Sequence, residues 1–316
     1  MKKFLIKTML FSLLLLLLII IGFLVPVTPR ASKSLLYAKI QKDSLLKNTD
    51  SPRIIFVGGS NLSFGINSQM IKDSLHLNPI NTAIHAGIGL EYMMDNTLKY
   101  IKKGDIIILA PEYNHFYGRF IYGGEELLRT VADINLSEIF DLKEEQLRNI
   151  FKYLIKYSFS KFKSKFKLTE YFGFKESDIY SVNSFNKYGD VYTHWTMKQQ
   201  KFSSADTIRS IYNPDAIKLI DSFRIELEKK GAKLFITYPS YQASSYDKSI
   251  NQIKKIEQEL LENNFELLGT PERFRIPDAM MFNSSYHLLK KGVDYRTELL
   301  IEDIEKVRTH NNVYKK

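Results

Sequence analysis

The chain has 316 residues, 44% of them hydrophobic and 25% charged, which excludes a wholly disordered polymer and suits one large domain with appendages. It contains no cysteine, so disulfides, thiolate metal sites, a cysteine nucleophile and a lipid-modified N-terminal cysteine are excluded together. A net charge of +10, from 45 basic and 35 acidic residues, calls for an anionic neighbour but fits nucleic acid, phospholipid and acidic glycan alike.

Lys2, Lys3 and Lys7 precede an uncharged run from Thr8 to Thr28 made mostly of Leu, Ile and Phe. That length matches the roughly 20 residues a helix needs to cross a bilayer. It exceeds the about 7–15 of a cleaved signal peptide, and Pro26-Val27-Thr28-Pro29-Arg30 offers no small-x-small cleavage site. Residues 1–30 are therefore expected to form an uncleaved transmembrane signal anchor, with a buried core helix as the alternative. The basic flank places the N-terminus in the cytoplasm, although Arg30, Lys33 and Lys39 reduce the charge asymmetry. The expected location is a bacterial inner or plasma membrane, crossed once, with the remaining chain outside the cytoplasm and no nucleic-acid partner.

Residues 31–50 read as a polar, partly helical stalk, and residues 51–316 as the folded domain. Ile54-Ile55-Phe56-Val57 is a continuous apolar run stopped by Gly58-Gly59, the pattern of a strand buried on both faces of a parallel sheet. Weaker strand character follows at Asn81-Thr82-Ala83-Ile84, then strong runs at 105–110 and 233–239. Helix-period stretches lie at about 88–103, 214–230, 247–263 and 289–308. Alternating strands and helices predict an α/β fold with a parallel sheet and right-handed crossovers. Ligands in such folds sit beyond the carboxyl ends of the strands, so the loops after Val57, Ile84 and Ala110 are the first candidates.

Residues 116–213 break this rhythm and read as an insertion rich in Phe, Tyr and Lys. Within it, residues 158–167 alternate cations with aromatics, and no acid occurs between 146 and 169. This pattern suits either an interfacial segment on anionic lipid or a helix with packed aromatics and solvated lysines. Asn186-Lys187-Tyr188-Gly189-Asp190, ahead of His194-Trp195, reads as a lid over a site or as a plain turn with Trp195 as a packing anchor.

Gly58-Gly59-Ser60-Asn61 directly follows the first core strand. Two glycines permit a sharp turn, and a serine there projects its hydroxyl above the sheet edge with its N–H at a helix start. The same tripeptide is also an ordinary loop. Tyr286-His287-Leu288 precedes the last helix and can bring an imidazole back over that edge as a general base. Ala86-Gly87-Ile88-Gly89 and Pro111-Glu112-Tyr113-Asn114-His115 follow the second and third strands, where a glycine N–H and an asparagine amide would suit an oxyanion hole. No phosphate-binding glycine loop and no paired metal-ligand motif occurs, so no metal, nucleotide or other cofactor is expected.

These four loops, in this order over about residues 52–310, resemble the SGNH (GDSL-type) hydrolase superfamily, and within it the membrane-anchored extracytoplasmic branch linked to cell-surface glycan acylation. The resemblance implies a flavodoxin-like three-layer fold, a nucleophile at Ser60 and a catalytic His287. It implies an oxyanion hole from the N–H groups of Ser60 and Gly87 with Asn114, whose Gly-x-Asn-Asp block is here Glu-Tyr-Asn-His. Two departures stand out. Gly59 replaces the aspartate of the first block, and Asn283 and Ser284 stand where the aspartate that orients the histidine is expected. Asn283, Asp278 and Glu112, together with Asp190, are the candidates for that role, because a triad lacking its carboxylate loses about 10⁴ in turnover. The implied activity is a serine esterase or O-acyltransferase on acyl esters of a cell-envelope polysaccharide, and the implied partner is a multispanning acyltransferase. The alternative is a catalytically degenerate accessory protein that binds a glycan or such a partner.

Overall fold

The computed structural model describes residues 1–202 and 207–313. Its strands are β1 (Arg53–Gly58), β2 (Asn78–Asn81), β3 (Ile106–Ala110), β4 (Lys233–Thr237), β5 (Tyr241–Gln242), β6 (Leu267–Leu268) and β7 (Arg275–Ile276). β5 and β7 make a separate parallel pair, and the other five form one parallel sheet in the order β2-β1-β3-β4-β6. This is the doubly wound arrangement: the chain starts at β1, steps outward to β2, then reverses across β1 to β3, β4 and β6. A right-handed crossover must change face when its direction reverses, so helices cover both faces.

The helices follow that rule. α1 (Lys2–Leu24) and α2 (Ala38–Asn48) precede the sheet; α3 (Ser60–Ser63) and α4 (Ser68–Leu75) follow β1, and α5 (Leu90–Leu98) follows β2. The insertion carries α6 (Glu125–Asp133), α7 (Glu144–Phe151) and α8 (Leu154–Lys165). α9 (Asp215–Lys229), α10 (Ala243–Lys248), α11 (Ile250–Glu262) and α12 (Lys290–Val313) complete the chain. Ile54, Phe56, Ile108 and Phe235 pack on Ile71 and Leu75 of α4 and on Leu300 and Ile304 of α12. Ile55, Val57, Ile107 and Leu109 meet the opposite layer, from Leu90 and Met94 of α5 to Ile220 of α9 and Ile253 of α11. The two-residue alternation explains why these strands read as unbroken apolar runs.

Two expectations are corrected. The second strand lies at Asn78–Asn81, ahead of the weak run at 81–84, and it contains Pro79. Proline is tolerated there because β2 is the sheet edge, where a missing N–H costs no ladder bond. Residues 31–50 are not a free stalk, because α2 is docked. Lys42 Nζ is buried and donates to the carbonyls of Asn81 (2.9 Å) and Gly189 (2.5 Å), while Lys39 pairs with Asp43 (2.6 Å) and Glu138 (2.8 Å).

α1 is long and apolar enough to cross a membrane. It packs along α8, where Gly22 leaves no room for a side chain against the Ser158 carbonyl and Phe23 meets Tyr157 edge-on at 5.9 Å. Lys161 Nζ donates to the Phe23 carbonyl (3.1 Å) and pairs with Asp133 (2.9 Å), placing a cation at the negative end of the α1 dipole.

At the amino ends of the strands, Arg53 and Asp105 form a fully buried bidentate pair. The guanidinium also donates to the Leu46 and Tyr100 carbonyls, and the Lys102 N–H donates to Asp105. Asp105→Ala strands a buried cation and is expected to destabilise the protein by about 3–5 kcal/mol. The double change Arg53→Met with Asp105→Leu should cost much less, measured by denaturant unfolding of the detergent-solubilised chain.

Candidate functional site

The loops after β1 and β3 diverge at the point where the strand order reverses, which opens a crevice at their carboxyl ends. Gly59 lies in extended backbone, and a Cβ on it would come within 2.7 Å of both Ala86 Cβ and Glu112 Oε1. The close approach of these loops therefore demands glycine. Ser60 begins α3 and is half-buried, and its N–H has no acceptor within its own helix. Its hydroxyl donates to Glu112 Oε1 (3.1 Å), and the Asn61 N–H donates to the same oxygen (3.0 Å). Burial raises the Glu112 carboxyl above its ordinary range, opposed by the Asn61 N–H, the charge of His85 and the Ser60 hydroxyl. Glu112 thus touches the nucleophile candidate rather than the histidine it was expected to orient.

Behind this loop stands Arg296, fully buried on α12. Its guanidinium donates to the Asn61 carbonyl (2.6 Å), the Asn61 Oδ1 (3.0 Å) and the Tyr238 carbonyl (3.4 Å). Asn61 Nδ2 in turn donates to the Ala110 carbonyl at the end of β3 (3.1 Å). Burial lowers Arg296 to about 9, partly offset by the charges of Glu112 and Tyr113. Arg296 and its neighbour Thr297 both brace the β1–α4 connection, with Thr297 Oγ1 accepting from the Asn67 N–H (3.0 Å).

His287 is buried and stacks on Phe64 at 4.1 Å. Its Nδ1 lies 2.8 Å from Asn283 Oδ1, and the Asn283 Nδ2 donates to the Tyr180 hydroxyl (2.8 Å) and to Gln200 Oε1 (3.4 Å). That amide orientation presents an acceptor to the ring, so Nδ1 carries the proton and Nε2 keeps its lone pair. Asn283 therefore does the orienting work of an aspartate without its charge. Burial lowers His287 to about 3, with smaller contributions from His194 and His85. The charge of His85 acts on both Glu112 and His287, while the Ser60 hydroxyl is engaged by Glu112 and His287 Nδ1 by Asn283.

The other predicted residues are less cooperative. The Gly87 N–H donates to His85 Nδ1 (3.1 Å), and the Glu126 carboxylate sits where a Gly87 side chain would be. With its N–H already given to His85, Gly87 is not a ready oxyanion donor in this conformation. Asn114 is half-buried on the same turn as His115. His115 is structural: Nδ1 accepts from the Glu112 N–H (3.0 Å), which leaves Nε2–H for the Ala86 carbonyl (3.1 Å). Burial lowers it to about 4.

Asp278 does not reach His287, because its exposed carboxylate accepts from Gln242 Nε2 and the Ser244 N–H, both at 3.1 Å. Asp190 is also structural, accepting from Ser68, Asn81 and Asn186. Gly189 (φ +96°) turns tightly against the Asn81 carbonyl, so residues 186–190 form a docked turn rather than a lid. His85 and Glu126 were missed as site residues, although His85 stands two residues before Gly87 in the second loop. Among the described residues no cluster of His, Asp or Glu is arranged to hold a metal ion.

No family model and no curated protein sequence matches the chain. Among solved structures, that of the protein YXIM from Bacillus subtilis is similar at 14% identity with a TM-score of 0.37. The match covers 80% of this chain and 56% of that one, so the chain spans little more than half the length of that protein.

Three buried histidines make the fold acid-sensitive. Burial lowers His194 and His115 to about 4 and His287 to about 3, against about 6.5 in the unfolded chain. Below pH 6.5 the unfolded chain binds protons that the folded chain refuses. Stability therefore falls as pH drops through that value, and the loss is complete only near pH 3–4. The raised carboxyls of Glu112 and Asp190 contribute with the opposite sign, so the test is made by difference. His194→Gln, which can keep the bond to the Leu288 carbonyl, should flatten the slope between pH 6.5 and 4 by up to about 1.4 kcal/mol per pH unit, read from denaturant unfolding at stepped pH.

Proposed function

We propose that the chain is a membrane-anchored serine enzyme that transfers or hydrolyses acyl esters of a cell-envelope polysaccharide, with α1 in the bilayer and the α/β domain outside the cytoplasm. The observation that carries this reading is the Ser60 hydroxyl hydrogen-bonded to a buried carboxylate at the switch point of the sheet. A carboxylate whose proton affinity is raised by burial is a better base than one in water, whereas burial makes His287 a weaker one. Glu112 is therefore the group that takes the Ser60 proton as Oγ attacks the ester carbonyl. The proton then passes to the departing alkoxide as the acyl–oxygen bond breaks, leaving an acyl-serine. In the second half-reaction water or a sugar hydroxyl attacks the acyl-serine. His287 Nε2, its lone pair fixed by the Asn283 bond, draws off the attacking proton, and the imidazolium returns it to Ser60 Oγ as the acyl–serine bond breaks. Water makes the protein an esterase, and a sugar hydroxyl makes it an O-acyltransferase. The Ser60 N–H supplies one oxyanion donor, with Asn114 as the candidate for a second.

A second reading, a non-catalytic accessory protein that binds a glycan or a membrane acyltransferase, draws on one specific observation. The Gly87 N–H is engaged by His85, so the expected oxyanion hole is not assembled.

A fluorophosphonate probe and a short-chain aryl ester separate the two readings. The wild type should be labelled at Ser60, and Ser60→Ala should abolish both labelling and turnover. Glu112→Gln, which keeps an acceptor for Ser60 but loses the base, should lower turnover about 10²–10⁴-fold. Equal signals from wild type and Ser60→Ala, together with unchanged glycan acylation in a deletion strain, would sink the enzyme reading.

Asn283→Asp supplies the missing charge beside His287. It should speed deacylation at least about tenfold, within the about 10⁴ that separates the two residues in a serine protease triad. Burst-phase kinetics would show this as a faster steady state following an unchanged burst.

A further inference from the structure

An apolar groove of about 330 Å³ runs between the outer half of α1 and the insertion. Leu16, Ile20 and Phe23 form one wall, and Leu128, Ile150 and Phe151 stand among the residues of the other. Every side chain lining it is Leu, Ile or Phe, and the volume falls within the roughly 300–1,000 Å³ typical of small-molecule sites.

Its position relative to α1 says what would fill it. The uncharged part of α1 from Thr8 to Leu24 rises about 25 Å at 1.5 Å per residue, close to the roughly 30 Å of a hydrocarbon core. Leu16 lies about 12 Å before Leu24 on the same scale, so the groove occupies the outer-leaflet half of the span. α8 runs alongside in the same direction, since Leu154 lines the groove, Ser158 touches Gly22 and Lys161 caps Phe23. Beyond that cap, Lys163, Lys165 and Lys167 are exposed at the height of the head groups, interleaved with exposed Phe162 and Phe166. The apolar surface is continuous with that of α1, and its upper rim is cationic.

We propose that this groove binds one acyl chain of an anionic phospholipid from the anchor's own outer leaflet, with the phosphate set against Lys163, Lys165 and Lys167. The inference rests on the membrane-spanning reading of α1 and is independent of chemistry at Ser60. Phe151 and the start of α8 then sit within the leaflet, and the lysine-rich end of α8 sits at its surface.

The test uses the full chain in nanodiscs of phosphatidylglycerol or phosphatidylcholine. In a Trp195→Phe background, Leu13→Trp reports the anchor and Phe151→Trp reports the groove, each read by quenching with chain-brominated lipid. Both tryptophans should be quenched. Native mass spectrometry after release into detergent should show one retained phospholipid per chain, phosphatidylglycerol in preference to phosphatidylcholine. Leu147→Trp, at a position 40% exposed that lines the groove, should fold normally and lower that retention about tenfold. Joint replacement of Lys163, Lys165 and Lys167 by Glu should remove the preference for phosphatidylglycerol. Quenching at Leu13→Trp alone would overturn the groove proposal and leave the membrane reading standing. Quenching at neither site would overturn both. Quenching at both with no retained phospholipid, with fatty acid alone, or with equal retention in Leu147→Trp would show immersion without a bound lipid and likewise overturn it.

Discussion

The guanidinium of Arg296 is buried without solvent, and the elements around the crevice are arranged to receive its donors. A charge in such a place needs oxygen atoms in the right positions, because the alternative is a desolvation cost of several kcal/mol. Two of those oxygens belong to Asn61 and one to Tyr238, so the loop after β1, the end of β4 and α12 are held by one side chain. With Asn61 clamped on one side, its N–H points at Glu112 and its amide at the end of β3. The placement of Ser60 one residue earlier follows from this arrangement. Gly65 belongs to the same design, since a Cβ there would sit 2.6 Å from Arg296 Nη1.

The polar groups of the crevice are tuned in opposite directions by the same burial. Withdrawal from water makes a carboxylate hold protons more tightly and an imidazole more loosely. Burial therefore strengthens Glu112 as a base and weakens His287, and the group bonded to the serine is the one strengthened. Asn283 fits this environment. Its amide oxygen fixes the imidazole tautomer without adding a charge beside the ring.

The parts of this architecture that are legible in the sequence are those set by short-range rules. The runs at 54–57, 105–110 and 233–239 read as buried strands because both of their faces meet helices, and Gly58-Gly59-Ser60 stands out because only glycine fits the approach to Ala86 and Glu112. Asn283 was also readable, four residues before His287. What escapes the sequence is set by distant partners. β2 contains a proline and two asparagines and is a strand only because it pairs along β1, and β6 is two residues long and marked by no pattern. The role of Glu112 depends on the turn that brings it across to Ser60, and that of Arg296 on an interaction 235 positions away in the chain. Asp278, far closer in sequence to His287 than Glu112 is, was drawn off by Gln242 and Ser244.

The cap that Lys161 places on the end of α1 bears on how freely the domain can move about that helix. A domain on a flexible stalk sweeps a hemisphere, and its crevice meets targets at many heights and angles. Here the helix end is gripped by Lys161 and Asp133, and the following segment is folded onto the domain through Lys39 and Lys42. With α1 in a bilayer, tilt and elevation would be set once, when the helix inserts. If the protein acts on a surface polymer as proposed, encounter would then depend on lateral diffusion in the plane, and the distance from bilayer to bond would act as a selectivity filter, admitting only polymer segments presented at one height.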